Sequence, residues 1–249
     1  MCFDLDSLPP VPVLAGAAVS HERLELTAAD GNRFAAFEAT PEQPGAAGVV
    51  ILPDVRSLYR FYEELALRFA ERGIAAVAID YFGRTAGAEP RGDDFEYMPH
   101  VDQTTVAGVQ ADVAAAVEHL RGRYSSIFTV GFCFGGRNSW LAAASGHGLA
   151  GAVGFYGRPG VGRDGSEGPA ARAGEITAPI LALMGGADPG IPQEDVDTLE
   201  RALEAAGVEH EVVVYDGAPH SFFDRKYEEF AEASQDAWRR TLDFIERNS

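Results

Sequence analysis

The 249-residue sequence has few cysteines and no long apolar run. Its two cysteines, Cys2 and Cys133, lie far apart in the chain, so we do not expect a disulfide between them. No segment approaches the roughly 20 consecutive apolar residues that cross a bilayer. The first residues, MCFDLDSLPPVPVLAG, lack the basic residues of a secretory signal and contain three prolines. The sequence therefore predicts a cytoplasmic protein that keeps its thiols reduced.

Positive charge and cofactor motifs are also scarce. The sequence contains 20 Lys and Arg residues and 38 Asp and Glu residues, a net charge of −18. This charge disfavours binding to nucleic acid or to an anionic membrane. The sequence has no HExxH or CxxC pattern, no GxGxxG and no Walker motif, so we predict no metal and no nucleotide cofactor. The length and the ordinary composition predict one domain over residues 1–249. We expect a monomer or a small homo-oligomer with a small molecule as its partner.

Apolar strands alternate with amphipathic helices along most of the chain. A hairpin is predicted over residues 21–41, around Asp30-Gly31-Asn32, and buried strands over 48–54, 75–82, 126–132, 151–157, 179–186 and 211–217. Helices are predicted over 59–73, about 104–123, after Gly136, about 193–206 and up to Asn248. Segment 158–178 is Gly-rich and aperiodic, which indicates a surface loop. The pattern predicts a three-layer α/β fold with a mostly parallel central sheet and an antiparallel N-terminal hairpin, and ligands at the carboxyl ends of the strands.

The most specific motif is Gly131-Phe132-Cys133-Phe134-Gly135, which directly follows the predicted strand SIFTV and precedes a helix. This is the pattern of a nucleophile elbow. The glycines are required because a Cβ at either position would clash in the tight turn, and the helix start favours the negatively charged thiolate. The alternative interpretation is a small buried cysteine in a Gly-rich turn.

A cysteine nucleophile needs a base and an orienting acid, and in α/β-hydrolases these follow the nucleophile in the order acid, then histidine. Asp188 comes after the predicted strand PILALMGG, and His220 comes after the next strand, EVVVYDG. Taken singly, Asp188 could be a helix N-cap and His220 an ordinary loop histidine. Their order and their position at strand ends together favour a Cys133/Asp188/His220 triad.

Two backbone N–H groups are needed to stabilise the oxyanion of the tetrahedral intermediate. Phe134, directly after the nucleophile, supplies one, and Val55, in the loop after the strand GVVILPD, is predicted to supply the other. Asp54 precedes Val55 in this loop. Two interpretations of Asp54 stay open: a carboxylate that tunes the thiol, or a turn or capping residue.

The segments GFCFGG, MGGADPGIP and GAPHSFFDR together resemble the dienelactone hydrolase (carboxymethylenebutenolidase) family of the α/β-hydrolases. The similarity runs from the hairpin to the final helix. It implies cofactor-free hydrolysis of an enol-lactone or related ester by a Cys/His/Asp triad. The residues that match the triad are Cys133, Asp188 and His220, and those that match the oxyanion-hole amides are Val55 and Phe134.

The sequence departs from the family pattern at two places. Many members have Glu in a segment resembling QEIFG, where this chain has Asp54 in PDVRS. Family members that act on dienelactone bind the substrate carboxylate through two arginines, and Arg84 and Arg225 lie near the matching places, Arg225 displaced by one residue. The resemblance thus implies a carboxylate-binding pair, against the alternative of two solvated surface arginines.

Two other functions stay open at this point. Glutamine amidotransferase-like cysteine hydrolases also use a GxCxG elbow, but they usually carry an acid two residues after the histidine, where this chain has Phe222. A ligand-binding protein on the same scaffold, with negligible turnover, is the other alternative, since fold does not fix function.

Overall fold

The structure, a computed structural model, describes residues 3–4 and 6–249. The eight strands of the described residues form one sheet in the order β1-β2-β4-β3-β5-β6-β7-β8. The strands are β1 (Val19–Thr27), β2 (Arg33–Pro41), β3 (Ala47–Leu52), β4 (Ala75–Ile79), β5 (Ser126–Phe132), β6 (Gly151–Phe155), β7 (Ile180–Gly185) and β8 (His210–Tyr215). The hairpin β1–β2 joins β4 antiparallel, and the other neighbours from β4 to β8 are parallel, as the sequence predicts.

The helices of the described residues cover both faces of this sheet. They are α1 (Arg60–Ala70), α2 (Gly83–Ala86), α3 (Met98–Val101), α4 (Val106–Arg121), α5 (Phe134–Ala143), α6 (Gln193–Ala206) and α7 (Ala231–Arg247). A Cβ added to Gly151 would meet Phe244 of α7, and one added to Gly154 would meet Trp140 of α5. Because residues three apart in a strand point to opposite faces, α5 and α7 lie on opposite sides of β6. The three-layer α/β prediction is confirmed.

Several predicted boundaries were wrong. Strand β3 ends at Leu52 because Pro53 has no N–H to donate to the ladder. Helix α5 begins at Phe134 rather than after Gly136, because the turn at Cys133 leads directly into the helix. Segment 83–103, for which no element was predicted, contains α2 and α3. None of the described helices is long and apolar enough to cross a membrane.

Candidate active site

Cys133 lies at the junction of β5 and α5 with a positive φ, at φ 55° and ψ −111°. Its N–H donates to the carbonyl of Phe155, 3.0 Å away, which anchors the turn to β6. A Cβ at Gly131 would lie 2.0 Å from the carbonyl oxygen of Gly135, and one at Gly135 would lie 1.9 Å from that of Leu52. The predicted need for glycine on both sides of the cysteine is confirmed.

We expect Gly135→Ala to destabilise the protein by about 3 kcal/mol or more, because the added methyl meets backbone rather than a movable side chain. Urea denaturation would measure this change. Gly122→Ala is the control, because Gly122 has φ −65° and no atom within 4 Å of an added Cβ. Equal stabilities of the two variants would contradict the close approach of α5 to β3.

His220 and Asp188 form a close pair at the carboxyl ends of β7 and β8. The Nδ1 atom of His220 lies 2.5 Å from Oδ2 of Asp188, whose carboxylate is buried. The other oxygen of Asp188 accepts a hydrogen bond from the N–H of Gly190 at 2.8 Å. The N-cap of α6 is Pro192, so the capping alternative for Asp188 is wrong. With Nδ1 held by the carboxylate, His220 has Nε2 for proton transfer.

A cavity of about 310 Å³ brings four of the sequence-predicted residues together. Its wall includes Cys133 and His220, and also Val55 and Phe134. The remainder of the wall comes from the 101–106 segment, from α5 and from the loops after β6 and β7. The size of the cavity suits a small organic molecule.

The two predicted oxyanion-hole amides, those of Val55 and Phe134, lie at equivalent positions beyond the carboxyl ends of two neighbouring strands. Leu52 of β3 pairs with Gly131 of β5, and Val55 and Phe134 each lie three residues beyond this pair. Neither of their N–H groups has an acceptor within the described residues, and Phe134 is the first residue of its helix, where the N–H has no intrahelical partner. Both amides are therefore available to an oxygen bound in the cavity.

The loop that carries Val55 is fixed by a buried phenol. The hydroxyl of Tyr81 donates to the carbonyl of Pro53 at 2.9 Å, and its ring packs edge-on against Phe134, 5.2 Å between centroids. Burial raises the pKa of Tyr81 well above its usual value, with a further contribution from Asp54, so the phenol stays protonated and continues to donate. Tyr81 thus links the two predicted oxyanion donors.

Asp54 is fully buried and stabilises the turn after β3. One carboxylate oxygen accepts from the N–H of Arg56 at 2.8 Å, and the other accepts from the hydroxyl of Tyr59 at 3.2 Å. The Asp54 N–H donates to the hydroxyl of Tyr62 at 2.8 Å. These contacts favour the turn interpretation, and the effect of Asp54 on the thiol stays a prediction.

Arg84 and Arg225 do not line the cavity. Nη1 of Arg84 donates to both carboxylate oxygens of Asp112, at 2.7 and 2.9 Å, and Nη2 donates to Asp30 at 2.6 Å. Arg225 is exposed, and its backbone N–H donates to the carbonyl of Leu8. The structure therefore does not bring this pair to the nucleophile, because acidic neighbours hold Arg84 elsewhere and Arg225 lies on the surface.

The cavity contains functional candidates that the sequence analysis missed. Arg137 lies one helical turn after Cys133, and Tyr156 directly follows β6, with its ring 5.0 Å from that of His220. The position of Arg137, four residues after the nucleophile on a helix, was a usable signal. Arg158 and Arg163 also line the cavity, but they lie in an irregular loop whose sequence gives no such signal. The described residues contain no group of three or more His, Cys, Asp or Glu side chains that could hold a metal.

Comparison with known proteins gives a consistent result. The model of the dienelactone hydrolase family matches residues 34–249. A protein of Escherichia coli strain K12 named "Putative carboxymethylenebutenolidase" is 30% identical over 230 residues, 87% of this chain and 83% of that protein. The carboxymethylenebutenolidase of Rhodococcus opacus is 29% identical over 254 residues, 99% of this chain and 97% of that one. A crystal structure from Klebsiella pneumoniae, described as "Putative Dienelactone Hydrolase", is similar with a TM-score of 0.77 at 27% identity, over 92% of this chain and 98% of that one.

Proposed function

This chain belongs to the dienelactone hydrolase family and is a hydrolase of small esters or lactones, and we propose that it uses Cys133 as its nucleophile, with a thioester intermediate. One observation carries the proposal. His220, whose Nδ1 lies 2.5 Å from Oδ2 of Asp188, lines the same cavity as a cysteine held in a nucleophile elbow. Nucleophile, base and orienting acid are the three groups that covalent hydrolysis requires.

In the first half of the reaction, Cys133 gives its proton to His220, and the resulting thiolate attacks the carbonyl carbon of the substrate. The carbonyl oxygen becomes an oxyanion, which accepts hydrogen bonds from the N–H groups of Val55 and Phe134. When the tetrahedral intermediate collapses, the carbon–oxygen ester bond breaks and the leaving oxygen takes a proton from His220. The acyl group remains on sulfur as a thioester, and a lactone substrate stays attached because its leaving oxygen belongs to the same molecule.

In the second half, His220 takes a proton from water, and the resulting hydroxide attacks the thioester carbonyl. The carbon–sulfur bond breaks, and Cys133 leaves as the thiolate with which the cycle began. Asp188 holds His220 in one tautomer and stabilises the imidazolium that forms in each half. No redox step or external cofactor enters this balance.

Neither alternative from the sequence is favoured by the site. The acid in contact with His220 is Asp188, and the residue two positions after His220, Phe222, is buried in the core. This argues against an amidotransferase-like arrangement. A binding protein without turnover needs neither the Asp188–His220 pair nor two available backbone amides beside the cysteine.

A substrate panel with acid quenching tests the proposal. We expect hydrolysis of small lactones or short-chain aryl esters, because a molecule of this size fits the cavity of about 310 Å³. The panel should compare cis- and trans-dienelactone with neutral esters. Intact-protein mass spectrometry after the quench should show an acyl adduct, which peptide mapping assigns to Cys133. Turnover with an adduct on another residue would contradict the cysteine mechanism, and no turnover of any ester or lactone would contradict the function.

A further inference from the structure

Arg137 is a buried cation that the proposed reaction does not use. It lies on α5, its backbone N–H donates to the carbonyl of Cys133 at 3.2 Å, and only 6% of the residue is exposed. Within the described part of the chain, its guanidinium forms no salt bridge, although Asp164 acts on it electrostatically. A charge buried this deeply requires other strong partners.

Those partners are backbone oxygens of one loop, which we name the 158–168 loop. Nη1 of Arg137 donates to the carbonyl of Gly160. Nη2 donates to the carbonyls of Glu167 at 2.9 Å and Ser166 at 3.2 Å, and to the hydroxyl of Ser166 at 3.1 Å. The two ends of the loop are therefore held by a single planar group, which is the geometry that arginine offers and lysine does not.

The loop also closes on itself around this guanidinium. The N–H of Gly162 donates to the carbonyl of Ser166 at 2.9 Å. A Cβ at Gly162 would lie 2.9 Å from Nη2 of Arg137, and one at Gly168 would lie 2.0 Å from the carbonyl oxygen of Gly160. Gly162 and Gly168 are thus closely packed, Gly162 beside the guanidinium of Arg137 and Gly168 against the backbone at the other end of the loop.

The 158–168 loop forms part of the cavity wall, through Arg158, Gly162, Arg163 and Asp164. We propose that Arg137 is a positioning residue that holds this loop as a wall of the substrate cavity and thereby determines which substrates bind. It acts on binding rather than on bond making, because both of its terminal nitrogens are engaged by the loop. The kinetic part of this inference rests on the proposed function, whereas the ordering of the loop does not.

The test compares Arg137→Lys and Arg137→Met with the wild-type chain. We expect KM for a small ester to rise about tenfold and kcat to change by less than about threefold, because a displaced wall weakens binding of substrate and transition state alike. Amide hydrogen exchange in the 158–168 loop should accelerate in both variants. The rate at which iodoacetamide alkylates Cys133 should stay within about twofold of wild type, since the elbow is not changed.

Arg172→Lys is the matched control. Arg172 also donates to a backbone carbonyl, that of Ala144 at 3.0 Å, but it does not line the cavity. It should leave KM and loop exchange unchanged. If the Arg137 variants do not fold, Ser166→Ala replaces them, because it removes one of the hydrogen bonds to Arg137. This variant should raise KM and the hydrogen-exchange rate of the 158–168 loop, each by a smaller factor than the Arg137 variants.

Two results would overturn the inference. The first is unchanged loop exchange in the Arg137 variants, which would mean that the guanidinium does not order the loop. The second is a fall in kcat and in the alkylation rate at constant KM, which would mean that Arg137 acts through the elbow. If the wild-type chain hydrolyses no ester, the proposed function fails, but hydrogen exchange still decides whether Arg137 orders the loop.

Discussion

Cys133→Ala should reduce ester or lactone hydrolysis by at least about 10⁴-fold, because alanine removes the only group proposed to attack the substrate carbon. The folded structure should survive, since the substitution removes a half-buried sulfur and adds no atoms to the turn. Steady-state kinetics with the best substrate of the panel would measure the loss, and near-ultraviolet circular dichroism would verify the fold.

The matched control is Cys2→Ser, which changes the other cysteine of the chain. Cys2 lies outside the described residues, so the expectation that it forms no disulfide with Cys133 stays a prediction. This variant should keep wild-type turnover and should still be alkylated at Cys133. Residual activity of Cys133→Ala above about 1% of wild type would identify another nucleophile.

Asp188→Asn should reduce kcat by roughly 10³- to 10⁴-fold, because an amide beside Nδ1 no longer holds the required tautomer or stabilises the imidazolium. The side chains have nearly the same shape, so the hydrogen bond from Gly190 N–H should be retained and the stability should change little.

Asp216→Asn is the control for this variant. Asp216 is an exposed carboxylate in the same strand-end region, four residues before His220, and it does not line the cavity. It should keep wild-type kinetics. Equal rates for Asp188→Asn and wild type would assign Asp188 a purely structural role in the loop after β7.

The parts of the fold and the site that the sequence predicted share a physical basis. Strands buried on both faces must be continuously apolar, so β3 to β7 could be recognised from short runs. The turn at Cys133 excludes any Cβ at its neighbours, so Gly131 and Gly135 leave a fixed spacing in the sequence. Asp188 and His220 could be placed together because parallel strands end at the same edge of a sheet.

Other parts could not be predicted, because they depend on partners that are distant in the chain. Arg84 forms hydrogen bonds with Asp112 and Asp30, which are 28 and 54 residues away from it, and no local sequence pattern predicts such pairs. The partners of Arg137 are mostly backbone carbonyls, which every residue has, so these contacts leave no pattern in the amino-acid sequence. The insertion of β4 between β2 and β3 also has no signal in the order of apolar runs.

The pairing of Leu52 with Gly131 has a consequence for how activity arises during folding. The two amides beyond this pair become neighbours only when β3 and β5, separated by β4 and α4 in the chain, lie side by side. Contacts this distant in sequence form slowly, since the loop between them must close first. On the proposed mechanism, a nascent or partly refolded chain therefore cannot stabilise an oxyanion even when its elbow has formed locally. After dilution from denaturant, turnover should therefore return only when β3 and β5 have paired. It should lag behind the far-ultraviolet circular dichroism signal of the helices.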